Sequence, residues 1–190
     1  VASLVGSEMC IRDRPFSVIA LVLLMNAINM MDGLDGLAGG YMAIAFTWIA
    51  CAFYFSGYHA SFWLIVLLLS PLCAFLSINM RHPLRKKAGI FLGDAGALAL
   101  GLLLGFFAIG AAKGSNVGQI LLPVSILWII GLPVLDAFSL FFVRLKKGRH
   151  PFEADRLHLH YQLIDHGLTP GKATMLMRAV SFIFGVIGYW

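Results

Sequence analysis

Long apolar runs separated by short polar clusters dominate the chain. Six such runs lie at roughly 16–31, 36–56, 61–79, 94–112, 119–143 and 173–190. A helix needs about 20 apolar residues to cross a bilayer, and each run is near that length. Helices rather than strands follow from run length and from the need to satisfy every backbone group within the segment. The pattern therefore predicts an all-α, polytopic transmembrane helical bundle of about six spans. The last run ends at Trp190 with no polar tail, so the chain reads as cut short there.

The first fourteen residues, "VASLVGSEMCIRDR", break this pattern. They are polar and aperiodic, and they resemble a translated sequencing-adapter tail. They do not form a signal peptide, because the charges stand at the wrong end and no apolar core of the right length is present. The expectation is a non-native tail over 1–14 and a single transmembrane domain over 15–190, truncated at both ends, whose natural chain continued upstream of Pro15.

Composition strengthens the membrane reading. The chain is 60% hydrophobic and 12% charged, against roughly 25% charged in soluble domains, and its mean hydropathy is +0.88. Cys10, Cys51 and Cys73 show no metal spacing and read as small buried hydrophobes. The basic residues set the topology. Arg81, Arg85, Lys86 and Lys87 fall in one connection, and Arg144, Lys146, Lys147, Arg149, Arg156 and Lys172 in another. Two spans separate these connections, so they share a side, and the positive-inside rule makes it cytoplasmic. Beyond residue 14 the carboxylates are Asp32, Asp35, Asp94, Asp136, Glu153, Asp155 and Asp165, all at or near that face. One-sided placement points to a single site. The net charge of +5 fits an anionic substrate or anionic head groups.

Three motifs carry the chemistry. In "NAINMMDGLDGLAGG", Asn26, Asn29, Asp32 and Asp35 are spaced by three, so on a helix neighbouring members share a face. Asp32 would end the first span, where a carboxylate meets the negative end of the helix dipole and needs compensation. Asp35 could instead cap the next helix. "FLGDAG" puts Asp94 at the start of the fourth span, as an N-cap or a ligand. Carboxylates converging on one face suit Mg²⁺, which takes oxygen ligands and bridges phosphates. Asp136 lies within a span, which makes it a functional candidate or a packing residue. "PFEADRLHLHYQL" gathers Asp155, Arg156, His158 and His160. Zinc is one use for the two histidines. An Arg156 fork on phosphate, with the histidines bonding or protonating phosphate oxygens, is the other.

These motifs, in this order, resemble the polyprenyl-phosphate N-acetylhexosamine-1-phosphate transferases. The form of the third motif is similar to the branch that makes undecaprenyl-diphospho-N-acetylglucosamine, and the likeness covers residues 15–190. The resemblance implies that undecaprenyl phosphate attacks the β-phosphate of a UDP-N-acetylhexosamine, UDP-N-acetylglucosamine by preference, and that UMP leaves. It implies Mg²⁺, with Mn²⁺ as a substitute, held by Asp94 and Asp32. Catalytic roles fall to Asp32, Asp35, Asp94 and His158. Substrate binding falls to Asn26, Asn29, Asp136, Asp155, Arg156 and His160. The expected partners are the nucleotide sugar, the lipid phosphate and membrane lipids, with no nucleic acid. The expected place is the bacterial inner membrane, with the site at the cytoplasmic face and a product that starts cell-envelope polysaccharides such as O-antigen.

Two departures stand out. Tyr161 replaces a third histidine that usually follows the second, and it cannot become cationic near neutral pH. An adjacent Asp-Asp pair, which in the family activates the lipid phosphate, does not occur in the chain. The expectation is therefore a fragment, inactive alone. Two other readings are weaker. An intramembrane aspartyl protease built on Asp94 and Asp136 would carry Gly-x-Gly-Asp, and Phe91 stands where its first glycine belongs. A non-catalytic transporter or lipid-binding protein would place its ionisable residues near the bilayer midplane, whereas here they cluster at one face.

Overall fold

The computed structural model describes residues 2–81, 87–113, 120–146, 148 and 157–190, with side chains from Pro15 onward. Eight helices follow one another among these residues: α1 Ala2–Met31, α2 Leu37–Phe55, α3 His59–Asn79, α4 Gly93–Lys113, α5 Pro123–Ile129, α6 Gly131–Lys146, α7 Leu159–Asp165 and α8 Pro170–Tyr189. No strand occurs among the described residues. The architecture is the expected all-α membrane bundle.

Each predicted apolar run became helical, but the count of spans changes. Four helices, α2, α3, α4 and α8, are long and apolar enough to cross a membrane, and α5 with α6 makes a fifth if that bent pair is one span. The first run, Pro15–Met31, falls short of this length. It forms the second half of α1, whose backbone is helical from Ala2 onward.

The break in the fifth run has a local cause. Its sequence is "WIIGLPVLD", and Pro133 has no N–H to give the carbonyl four residues back, that of Ile129. The helix turns by 77° between α5 and α6. The orphaned Ile129 carbonyl accepts a hydrogen bond from the Tyr41 hydroxyl of α2 at 3.2 Å. That bond matters in an apolar core, where an unsatisfied carbonyl costs several kcal/mol.

α2 is the central helix and packs against α3, α4 and α8, while α1 lies against α4 and α6. Fully buried Tyr41, Phe46, Ile49, Ile28 and Leu104 fill the space between them. Phe107 meets Phe46 and Phe53 edge-on, with ring centroids 6.3 and 6.4 Å apart. Large apolar side chains such as Phe16, Trp63, Leu67 and Phe106 point outward, which suits lipid as the solvent. Cys51 is half-buried, but Cys73 is exposed on α3. That position corrects the buried-hydrophobe expectation: α3 is the least covered of the four spans, with 17% of its apolar window buried.

Candidate active site

The site forms where α1 ends and α2 begins. After Met31 the chain turns through Asp32–Gly36 and re-enters the bundle as α2. Gly36 is the N-cap of α2, with φ at 73°, a left-handed conformation that glycine adopts freely. No side chain caps this helix start, so Asp35 is not its cap. Asp35 instead pairs with Arg81 at 2.7 Å and accepts from the Ala88 N–H at 3.3 Å. These contacts tie the segment after α3 to the turn.

Asn79 completes that tie. It is buried at the last position of α3. Its Oδ1 accepts from the Gly36 N–H at 2.8 Å, and its Nδ2 donates to the Ile90 carbonyl at 2.7 Å. One amide therefore joins the segment carrying Asp32 to the segment leading into Asp94. The sequence reading did not single out Asn79.

Asp32 and Asp94 lie within electrostatic reach of each other. Burial, then the charge of Asp94, then that of Asp35, raise the Asp32 pKa from 3.8 to about 6, against a lowering hydrogen bond from the Gly93 N–H. The start of α4 thus supplies part of the compensation that a carboxylate at the end of α1 requires. Asp94 itself stands in the first turn of α4, where the dipole favours negative charge. Crowded carboxylates that resist ionising together are a donor set for a cation. Mg²⁺ is commonly held by one or two carboxylates, with substrate phosphates and water filling the rest. The pair fits that use. Among the described residues no group of three or more His, Cys, Asp or Glu makes a protein-only cage.

Beside this pair is a cavity of about 150 Å³ lined by Asp32, Gly33, Leu34, Asp35, Asn79, Phe91 and Leu92. Phe91 is 78% exposed. Its ring offers a flat apolar face next to carboxylates, and nothing in the motif spacing pointed to it.

The histidines arrive from the far end of the chain. Asp136, buried on α6, takes His158 Nδ1 at 2.9 Å on one oxygen and the Leu159 N–H at 2.9 Å on the other. It thereby fixes the start of α7 and the orientation of His158. His160 stacks parallel to His158, with ring centroids 5.6 Å apart, and lies 4.2 Å from the Tyr161 ring. It is fully buried, and both its ring nitrogens lack a partner among the described residues. A Cβ on Gly33 would overlap His160 Nε2 and stand 3.1 Å from Cδ2. His160 therefore occupies the space a side chain at 33 would need. Burial, then the His158 charge, push the His160 pKa down from 6.5 to about 4, so the ring is neutral at physiological pH.

The structure thus brings Asp32, Asp35, Asp94 and His160 to one place, with Asp136 and His158 adjoining. Asn29 is half-buried, and its Oδ1 is buried without a partner. Asn26 does not join them. It is exposed, and its amide donates to the Val22 carbonyl of its own helix at 2.7 Å. Asp155 and Arg156 lie outside the described residues.

Known proteins resemble this chain over most of its length. The chain is 30% identical over 164 residues to the undecaprenyl-phosphate alpha-N-acetylglucosaminyl 1-phosphate transferase of Yersinia pestis, covering 86% of this chain and 44% of that protein. It is 30% identical over 165 residues to the protein of that name from Escherichia coli K12, with the same coverage. The Haemophilus influenzae protein of that name is 36% identical over 154 residues, 79% of this chain and 42% of the relative. The chain thus spans less than half the length of these relatives. The sequence profile described as glycosyl transferase family 4 matches residues 5–112, and the chain belongs to that family.

Proposed function

We propose that this chain is part of an enzyme that transfers N-acetylglucosamine 1-phosphate from UDP-N-acetylglucosamine to undecaprenyl phosphate, releasing UMP. The observation that carries the reading is the crowding of Asp32 by Asp94 and Asp35 beside a cavity that Asp32, Asp35 and Phe91 line. A nucleotide sugar needs such a place, with an aromatic face for its base and a cation-bearing edge for its diphosphate. The names of the relatives supply the substrate class.

In this reaction an oxygen of the lipid phosphate forms a bond to the β-phosphorus, and the bond from that phosphorus to the UMP oxygen breaks. Such transfers depend on positioning and on charge stabilisation. Asp32 and Asp94 would hold Mg²⁺, which when bound offsets diphosphate charge. Asp35, Arg81 and Asn79 keep the two carboxylate-bearing segments in register. Asp136 engages Nδ1 of His158, leaving Nε2 as the ring atom to exchange a proton with a phosphate oxygen. His160, neutral and buried, positions the Asp32–Gly33 turn and offers hydrogen bonds rather than charge. Arg156 supplies a fork for phosphate.

The basic connections at 80–93 and 144–172, which the count of spans between them puts on one side, support a cytoplasmic site in the bacterial inner membrane. The test is UMP release from UDP-N-acetylglucosamine in membranes carrying the enzyme, with and without undecaprenyl phosphate and Mg²⁺. Lipid- and Mg²⁺-dependent release that Asp94→Asn reduces by at least about a hundredfold is expected. Release indifferent to the lipid, or to Asp94→Asn, overturns the proposal.

A further inference from the structure

An arginine inside an apolar helix requires an anion, water or an escape to the membrane interface. Arg178 lies roughly two turns into α8. Its side chain crosses to the first turn of α2, where it packs against Gly40. A Cβ there would stand 2.6 Å from Nε, 2.9 Å from Cδ and 3.0 Å from Cζ. Nη1 donates to Met80 Sδ at 3.5 Å, a weak acceptor. Nε is buried with no partner. Among the described residues no carboxylate pairs with Arg178. The start of α2 makes matters worse, because the positive end of its dipole faces the cation.

The location narrows what could neutralise this charge. α2 begins directly after the polar Asp32–Asp35 turn, so its first turn lies at the membrane boundary. Met80 separates Arg178 from that turn, since a Cβ on Gly36 would stand 2.8 Å from Met80 Cγ. The guanidinium thus lies against the first turn of α2, close to where the polar turn gives way to the apolar helix. In the transfer reading the nucleotide sugar lies over Asp32 and Asp94, at the polar turn. Arg178 is half-buried, so a ligand within the membrane face can reach it. The anion that belongs at this depth and matches a planar fork is a phosphate.

We propose that Arg178 is the contact for a lipid phosphate at the seam of α2, α3 and α8, beside the Asp32–Asp35 turn. The inference rests on the transfer reading in one respect: the acceptor lipid would present such a phosphate next to the diphosphate it attacks. A phospholipid head group offers the same chemistry.

The test uses the chain in a phosphate-free detergent, dodecyl maltoside, and reads lipid binding by native mass spectrometry. The probes are undecaprenyl phosphate, undecaprenol and phosphatidylglycerol. The phosphate should tighten binding by at least about tenfold over undecaprenol. Arg178→Gln should abolish that preference while leaving undecaprenol binding unchanged, and Arg178→Lys should keep part of it. Phosphatidylglycerol that competes at equal concentration identifies a general lipid-phosphate site, and failure to compete identifies the acceptor lipid. Either outcome supports the proposal. An unchanged preference in Arg178→Gln overturns it. If that variant does not fold, Gly40→Ala displaces the guanidinium without removing its charge, and a preference retained there overturns the proposal equally. Because binding is read rather than UMP release, this inference and the transfer reading fail separately.

Discussion

Gly33→Ala isolates the contact that joins the first motif to the last. Gly33 has no left-handed φ, so alanine brings no backbone strain and the perturbation is steric. The new methyl overlaps His160 Nε2 and stands 3.0 Å from Cε1. His160 cannot retreat easily, being fully buried between the His158 and Tyr161 rings. Overpacking of this kind costs about 1–3 kcal/mol. For a chain of this size that lowers the Tm by about 2–12 °C. A 1 Å displacement of the Asp32 turn would reduce transfer about a hundredfold. The assay is thermal unfolding in detergent for Gly33→Ala, His160→Ala and the double variant, with UMP release alongside. Gly171→Ala, in open space at the start of α8, is the control and should be neutral or slightly stabilising. Removing the imidazole should relieve the methyl, so the double variant should be more stable than the two single losses predict. Losses that simply add would refute the contact.

Three further outcomes follow from the same geometry. Asn79→Ala leaves the Gly36 N–H and the Ile90 carbonyl without their partner and should cost about 1–3 kcal/mol, checked by unfolding. Unchanged stability would mean that water replaces the amide. Folding raises the Asp32 pKa from 3.8 to about 6, so without a cation the stabilisation from this proton is complete below 3.8 and is lost as pH rises through about 6. A cation competes with that proton, so Mg²⁺ affinity should rise between pH 5 and pH 7 with proton release on binding, read by calorimetry in buffers of different ionisation enthalpy. Affinity independent of pH, or equal in Asp32→Asn, would contradict this. Asp136→Ala frees both His158 and the Leu159 N–H and should lower kcat more than it raises KM for the nucleotide sugar. A change confined to KM would instead make Asp136 a direct substrate contact.

The sequence made the bundle legible because apolar run length is a local property. The carboxylates and histidines were legible for a related reason, since each motif is a short window of chemically distinctive residues. What joins the windows was not. Asn79 sits at the end of an apolar run as one amide among many polar residues, and its two bonds reach Gly36 and Ile90 only after the helices pack. Asp136 stood out as an ionisable residue in a span, yet its partners at 158 and 159 depend on where α6 points. The same rule applied to the last run would have singled out Arg178. The i, i+3 argument for Asn26 failed because helix α1 turns that residue outward while Asn29 stays half-buried. The bend in the fifth run did have a signal, Gly131 and Pro133 within four residues of Ile130, masked by uninterrupted hydrophobicity.

The bond from Tyr41 to the Ile129 carbonyl spans 88 positions of sequence, and this bears on how the chain assembles during synthesis. A segment released into lipid with this carbonyl bare would draw water to it, because Pro133 leaves Ile129 without a helical N–H partner whether the segment is bent or straight. The Tyr41 hydroxyl of α2, made much earlier, therefore favours the bent form of α5 and α6 once it stands beside it. The direction of α6, and with it the place of Asp136, is thus a property acquired from a neighbour during insertion. A Tyr41→Phe chain would still thread its helices through the bilayer, yet would deliver its histidines late, or to the wrong address.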